Sequence, residues 1–184
     1  ATDGMTFVLC PDTAALGSHE RHMGWGGIRQ SFAVTLDTRQ EAMDNDPPFN
    51  HLAIQLNGIT DHASSANIAG PVPFFPDVEE GLISQYLVFK WEPLSRRFSV
   101  RAGNQVLLTA EVDLVNAVFG GNSRVHWGFT ATQTQLTDLS HIPPDARPPL
   151  GFLRANFGTI VPRISSQPEL DTCYGQPIRF FDQS

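Results

Sequence analysis

The segment that most constrains the fold of this chain runs from Ala33 to Asn57. Apolar and polar residues alternate at both of its ends, which predicts two β-strands that each turn one face toward a core. The loop between them carries four carboxylates, at Asp37, Glu41, Asp44 and Asp46. Carboxylates gathered on one turn repel each other unless a cation lies among them, and Ca²⁺ prefers such oxygen ligands. Because the same residue types are common in solvated turns, a calcium site and an ordinary acidic turn both remain open here.

The composition favours β-structure and excludes two classes of function. The chain of 184 residues contains 15 glycines and 14 prolines, which interrupt long helices. Its formal net charge is −7, and only 12 Lys and Arg are spread along it. Nucleic-acid binding needs clustered cations and is therefore not expected, whereas an acidic surface suits cations and neutral sugars. No apolar run reaches the eighteen or so residues of a membrane-spanning helix, so we expect no membrane insertion.

Five segments, in the right order, resemble the L-type (legume-like) lectins. They are ATDGMTFVL at 1–9, GWGGI at 24–28, the acidic segment at 35–51, the W-x-P hairpin at 87–114 and HWGFTATQTQLTDLSHI at 126–142. The resemblance implies an all-β fold over residues 1–142, a concanavalin-like jelly-roll β-sandwich of two antiparallel sheets. Family members carry further strands before the first of these segments. Their absence predicts that this chain is a fragment, a processed form or part of a longer protein.

The acidic segment corresponds to the metal-binding pattern of these lectins, E-x-D-x-(F/Y)-x-N, then D-P and a histidine. The corresponding residues here are Thr35, Asp37, Arg39, Glu41, Asp46 and His51. The resemblance implies a Ca²⁺ site that uses the middle four of these, with Arg39 contributing its carbonyl. It also implies a transition-metal site that uses Asp37, Asp46 and His51, but Thr35 replaces the glutamate of that site, so we expect it to be weakened. His51 could equally be a hydrogen-bonded histidine at the start of a strand.

The resemblance also implies a carbohydrate-binding site. Its carboxylate is Asp3, and the adjacent Gly4 lets the backbone approach a ligand closely. The other candidates come from the glycine-rich loop and from the end of the last matched strand: Gly24, Trp25, Gly26, Gly27, Thr132, Gln133 and Thr134. Trp25 is a candidate stacking ring for a sugar, although tryptophans more often pack in cores, as we expect for Trp91. The last of these loops lacks the glycine of the family pattern.

The C-terminal part differs in character. Residues 143–166 read as a proline-rich linker with a short strand. Residues 167–184 resemble the beginning of a PKD-type domain, an immunoglobulin-like sandwich found in series on large bacterial surface proteins. The two cysteines are Cys10 and Cys173. A bridge between them is possible but unsupported by their spacing, and we expect Cys10 to be a buried thiol.

The sequence therefore predicts a calcium-dependent carbohydrate-binding domain of a secreted or cell-surface, adhesin-like multidomain protein of bacterial type. The first alternative is a structural sandwich module that has lost sugar binding. The second is a glycoside hydrolase, which needs two facing carboxylates. The acids at Asp77, Glu79 and Glu80 fall in a loop, and Glu111 and Asp113 fit a solvated strand face better. We therefore expect no enzyme activity.

Overall fold

The computed structural model describes residues 4–12, 14–15, 17–18, 22–74 and 86–132, together with the backbone of residues 178–179. The described part forms nine strands, namely β1 (Gly4–Cys10), β2 (Phe32–Asp37), β3 (His51–Leu56), β4 (Asn67–Pro73), β5 (Leu87–Glu92), β6 (Arg97–Ala102), β7 (Gln105–Glu111), β8 (Arg124–Thr132) and β9 (Ile178–Arg179). A 3₁₀ turn covers Ala42–Asp44 and a π-helix covers Leu114–Val118. The predicted linker at 143–166 lies outside the described residues. In the described part, no helix has the length and apolar character needed to cross a membrane.

The strands form two antiparallel sheets. One has six strands in the order β4-β3-β2-β1-β8-β9, and the other has three in the order β5-β6-β7. The two strands predicted on either side of the acidic loop are β2 and β3, which pair with each other from Phe32 opposite Leu56 to Asp37 opposite His51. This pairing places both ends of the acidic loop side by side at one end of the six-stranded sheet.

The main core lies between the two sheets. Alternate residues of the six-stranded sheet point toward it, including Phe7 on β1 and Phe32 on β2. The Phe7 ring lies 4.9 Å from that of Phe89 on β5, and the Phe32 ring lies 4.4 Å from that of Phe98 on β6, centroid to centroid. Apolar side chains from two facing sheets define a sandwich. The predicted fold class is therefore confirmed.

The opposite face of the six-stranded sheet is covered by loops. Residues 22–30 lie over it and form a second apolar cluster, made by Val8, Met23, Trp25, Ile28 and Ala33. The Thr130 hydroxyl of β8 donates to the Met23 carbonyl at 2.7 Å, and the Gly27 N–H donates to the Gly58 carbonyl at 2.8 Å. These bonds attach the glycine-rich loop to the sheet and to the turn after β3. We call this covered surface the outer face.

Two residues outside the site confirm or refine sequence predictions. Trp91 packs against the main core, as expected, and its indole N–H donates to the Val112 carbonyl at 3.2 Å. Cys10 is a half-buried free thiol, and burial raises its pKa. Its candidate partner Cys173 lies outside the described residues.

The backbone of Ile178 and Arg179 pairs with β8 opposite Val125 and Arg124. These two residues belong to the segment that resembles the start of a PKD-type domain, most of which lies outside the described residues. They add a short edge to the six-stranded sheet, at the end of β8 far from Thr132. The domain boundary itself stays a prediction.

Gly58→Ala should destabilise the chain more than Gly103→Ala. Both glycines have left-handed backbone, with φ of +70° and +55°, and that conformation alone costs a non-glycine residue roughly 1–2 kcal/mol. A Cβ at Gly58 would lie 2.4 Å from the backbone nitrogens of Gly27 and Ile28, whereas a Cβ at Gly103 meets nothing within 4 Å. Urea unfolding of both variants measures the difference. Equal losses would show that the glycine-rich loop does not pack on this turn.

Candidate functional site

The sheet register brings the predicted metal and sugar segments to the same end of neighbouring strands. Gly4 at the start of β1 pairs with Thr132 at the end of β8 and with Asp37 at the end of β2. Asp37 in turn pairs with His51 at the start of β3. Four strands therefore place these residues in one row across the sheet. Neighbouring strands lie about 4.8 Å apart, so the row spans roughly 14 Å.

Three of the predicted sugar-binding residues, Asp3, Gln133 and Thr134, lie outside the described residues. In the sequence, Asp3 precedes Gly4 of β1, and Gln133 and Thr134 follow Thr132 of β8. Thr132 is described by its backbone alone. Their proposed roles remain predictions.

The acidic loop is folded back on itself by bonds from carboxylates to the main chain. Asp37 Oδ1 accepts from the Arg39 N–H at 2.9 Å, and Asp46 Oδ2 accepts from the Glu41 N–H at 2.8 Å. Asp37, Asp44 and Asp46 are all buried. Burial of a carboxylate is costly unless it is hydrogen-bonded or paired, and the two main-chain bonds supply such partners to Asp37 and Asp46. The Glu41 carboxylate contacts the Arg39 guanidinium, with Nε and Oε1 3.2 Å apart, and both side chains are partly exposed.

Thr35 occupies the position where the lectin pattern has a metal-binding glutamate. It is buried, and its hydroxyl lies 3.4 Å from the Ala53 carbonyl and 3.4 Å from Gln55 Oε1. The Gln55 amide donates in turn to the Thr60 carbonyl at 2.7 Å. This part of the outer face is therefore a neutral hydrogen-bonded group. It does not fit the carboxylate-rich transition-metal site that the resemblance implies.

A different set of ligand atoms lies next to it. Asp46, His51 and His62 each offer one ligand atom, and these atoms all lie within 4.8 Å of one another. The two imidazole Nε2 atoms are 2.8 Å apart, and Asp46 Oδ1 lies 3.2 Å from that of His62 and 4.0 Å from that of His51. Asp37 and Glu41 do not belong to this three-residue group. We call it the His-His-Asp cluster.

His62 is the functional candidate that the sequence motifs did not identify. It lies in the loop between β3 and β4, and its backbone N–H donates to the Asp44 carbonyl at 2.9 Å. This bond joins the loop after β3 to the acidic loop before it. The available signal was a second histidine eleven residues after His51, but only the folded loop shows that the two rings meet.

Burial lowers the pKa of His51, and the bond to the Phe49 carbonyl only partly opposes that effect. The nearby His62 lowers the pKa further, and Asp46 raises it. A lower pKa favours the neutral imidazole at neutral pH. The neutral ring is the form that binds metals.

The structure corrects one prediction in the glycine-rich loop. Trp25 is fully buried in the cluster under the outer face, so its ring cannot stack on a sugar. Of the three glycines in the loop, Gly27 alone is exposed. Gly27 is exposed, has φ of +82° and has open space where a Cβ would lie. Gly24 is half-buried and Gly26 is buried.

Of the carboxylates weighed for a glycoside hydrolase, Glu111 and Asp113 lie in the described residues. Asp113 accepts from the Asn116 N–H at 2.9 Å at the start of the π-helix, and these bonds lower its pKa. It also lies 3.5 Å from the Arg96 guanidinium. Glu111 is exposed at the end of β7. Asp77, Glu79 and Glu80 lie outside the described residues.

No family model matches the sequence. Among solved structures, the chain is similar to peanut lectin, with 20% identity and a TM-score of 0.55 over 72% of this chain and 56% of that one. It is similar to lectin I from Ulex europaeus, solved with the methyl glycoside of α-L-fucose, with 23% identity and a TM-score of 0.56 over 73% and 57%. It is also similar to a lectin from Bauhinia forficata in complex with GalNAc, with 16% identity and a TM-score of 0.54 over 72% of this chain and 59% of that one.

The chain thus spans a little over half the length of the lectins that it matches. At these identities the likeness concerns the fold. The paired sheets, the acidic loop between adjacent strands and the glycine-rich loop over the outer face agree with it. The chain therefore has the concanavalin-like jelly-roll fold of the legume-type lectins.

Proposed function

We propose that this chain is a calcium-dependent carbohydrate-binding domain without catalytic activity, in a secreted or cell-surface multidomain protein. The observation that carries the proposal is the row of Thr132, Gly4, Asp37 and His51, which crosses four neighbouring strands at one end of the sheet. It gathers at one place the segments that carry the metal and sugar residues in lectins. The Ulex europaeus and Bauhinia forficata lectins bind a fucoside and GalNAc, which supports a sugar of this size as the ligand class.

The residues at this end of the sheet have distinct roles in the proposed site. Asp3 accepts hydrogen bonds from two adjacent sugar hydroxyls, and the half-buried Gly24, which lies beside Thr130 and Ala131 near the end of β8, permits close approach of the ring. Asp37 and Asp46 hold the acidic loop through main-chain bonds, and a bound Ca²⁺ would neutralise their charge. Because Trp25 is buried, the apolar face of the sugar must rest on another residue.

A glycan array tests the proposal directly. The chain is applied with Ca²⁺, then with EDTA, and then with Ca²⁺ restored in excess. We expect binding in the first and third conditions and its loss in the second. Absence of binding to any glycan in the presence of Ca²⁺, with the sandwich folded, would favour the alternative of a structural module.

Calcium should raise the stability of the chain. In the proposed site the calcium ligands come together only in the folded loop, so Ca²⁺ binds the folded state and not the unfolded one. At a concentration about a hundredfold above its Kd, such a ligand adds about 2.7 kcal/mol to the free energy of unfolding. Thermal melts after EDTA treatment, with and without added Ca²⁺, measure the effect.

Mg²⁺ at the same concentration serves as the control, because it demands tighter octahedral geometry and keeps several waters. Asp37→Asn should reduce the calcium effect. A melting temperature that does not change between EDTA and Ca²⁺ would contradict the calcium site.

A further inference from the structure

The His-His-Asp cluster differs in kind from a carboxylate-rich lectin site. Its three side chains are almost fully buried, with exposed fractions of 1% for His51, 5% for His62 and 2% for Asp46. Their closest atoms are all possible metal ligands. The donor set is therefore two nitrogens and one oxygen.

The hydrogen-bond partners of both rings indicate which nitrogens carry hydrogen. His51 Nδ1 lies 3.0 Å from the Phe49 carbonyl, and His62 Nδ1 lies 3.4 Å from Asn67 Oδ1. The Asn67 orientation is itself determined, since its amide nitrogen donates to the carbonyls of His62 and Gly70 at 3.3 and 2.9 Å. A carbonyl oxygen only accepts hydrogen bonds, so these contacts favour the tautomer with the hydrogen on Nδ1 in each ring.

With the hydrogen on Nδ1, each ring turns its Nε2 toward the other ring and toward Asp46 Oδ1. Asp46 Oδ1 adds a third acceptor, while Asp46 Oδ2 is occupied by the Glu41 N–H. Three acceptors that face one another without a hydrogen between them repel, which favours a cation among them. One proton could bridge two of the three atoms, whereas a divalent metal ion satisfies all three.

We propose that Asp46, His51 and His62 form a transition-metal site of the two-imidazole, one-carboxylate type, suited to Zn²⁺. Such a donor set suits Zn²⁺ and Co²⁺, whereas carboxylate, carbonyl and water ligands suit Mn²⁺. The bonds from Nδ1 to the Phe49 and Asn67 oxygens are those that commonly orient metal-binding histidines. His62 thus replaces, with a nitrogen, the charged oxygen ligand that is lost at Thr35. The inference does not depend on glycan binding.

X-ray absorption at the zinc edge tests the site in the whole chain without any variant. The protein is stripped with EDTA, dialysed and loaded with one equivalent of Zn²⁺. We expect one tightly bound Zn²⁺ per chain and a spectrum with two imidazole ligands. A spectrum with fewer than two imidazoles, or no tight zinc binding by the folded chain, would overturn the proposal.

Variants then test the role of His62. Because Zn²⁺ binds most sites more tightly than Mn²⁺, the informative quantity is the ratio of the two affinities. His62→Gln should reduce Zn²⁺ affinity strongly and bring this ratio closer to one, as measured by competition with a chromogenic chelator. Asn67→Ala, which removes the partner of His62 Nδ1 and the amide bonds to the His62 and Gly70 carbonyls, should reduce Zn²⁺ affinity about tenfold to hundredfold.

His126→Gln is the matched control, because His126 is a half-buried histidine of β8 outside the cluster. It should bind Zn²⁺ like the unchanged chain. Unchanged zinc affinity in a folded His62→Gln variant would overturn the proposal. If that variant does not fold, the absorption spectrum of the unchanged chain still decides the matter.

Discussion

Asp3→Asn is expected to abolish measurable glycan binding and to leave the fold intact. In the proposed site this carboxylate accepts hydrogen bonds from two sugar hydroxyls, and charged hydrogen bonds of this kind contribute about 1.5–3 kcal/mol each. Loss of both corresponds to a reduction in affinity of more than about a hundredfold. An Asp-to-Asn change is nearly isosteric, and surface substitutions usually alter stability by less than about 0.5 kcal/mol. Calorimetry with the best glycan of the array measures the loss.

Glu111→Gln provides a control with the same chemical change. Glu111 is exposed at the end of β7, in the other sheet from the proposed site. It should bind the glycan like the unchanged chain. If Asp3→Asn binds equally well, the sugar site lies elsewhere on the sandwich.

Phe32→Ala should lower the free energy of unfolding by about 3–5 kcal/mol. The Phe32 side chain is fully buried, and its ring lies 4.4 Å from that of Phe98 in the opposite sheet. Truncation removes apolar contacts between the two sheets and leaves a cavity that the β-strands cannot easily close. Urea unfolding monitored by circular dichroism measures the change.

Val106→Ala is the control for this truncation, since Val106 is 44% exposed on β7. It should change stability by less than about 0.5 kcal/mol. If Phe32→Ala costs no more than the control, the two sheets do not pack face to face as described.

Much of the fold could be predicted because it depends on local patterns. The alternation on both sides of the acidic loop follows from strand geometry, which sends successive side chains to opposite faces. It correctly predicted β2 and β3, with the loop between them. The ordered resemblance to lectin segments then predicted the sandwich, which the two packed sheets confirm.

The role of Trp25 could not be predicted in this way. Whether a tryptophan in a glycine-rich loop faces a ligand or the protein depends on what lies beneath the loop. At Trp25 that surface is the apolar patch that includes Val8 and Ala33, which come from two different strands. Burial of the ring there is favoured over exposure to water.

The sequence by itself determined the strand pattern, the acidic loop and the absence of a glutamate at Thr35. Only the tertiary structure brought His62 against His51 and Asp46. A metal-binding group requires distances of a few ångströms between side chains. Those distances depend on how the acidic loop and the loop after β3 pack against each other. Here the bond from the His62 N–H to the Asp44 carbonyl joins those loops, and residue spacing alone does not encode that contact.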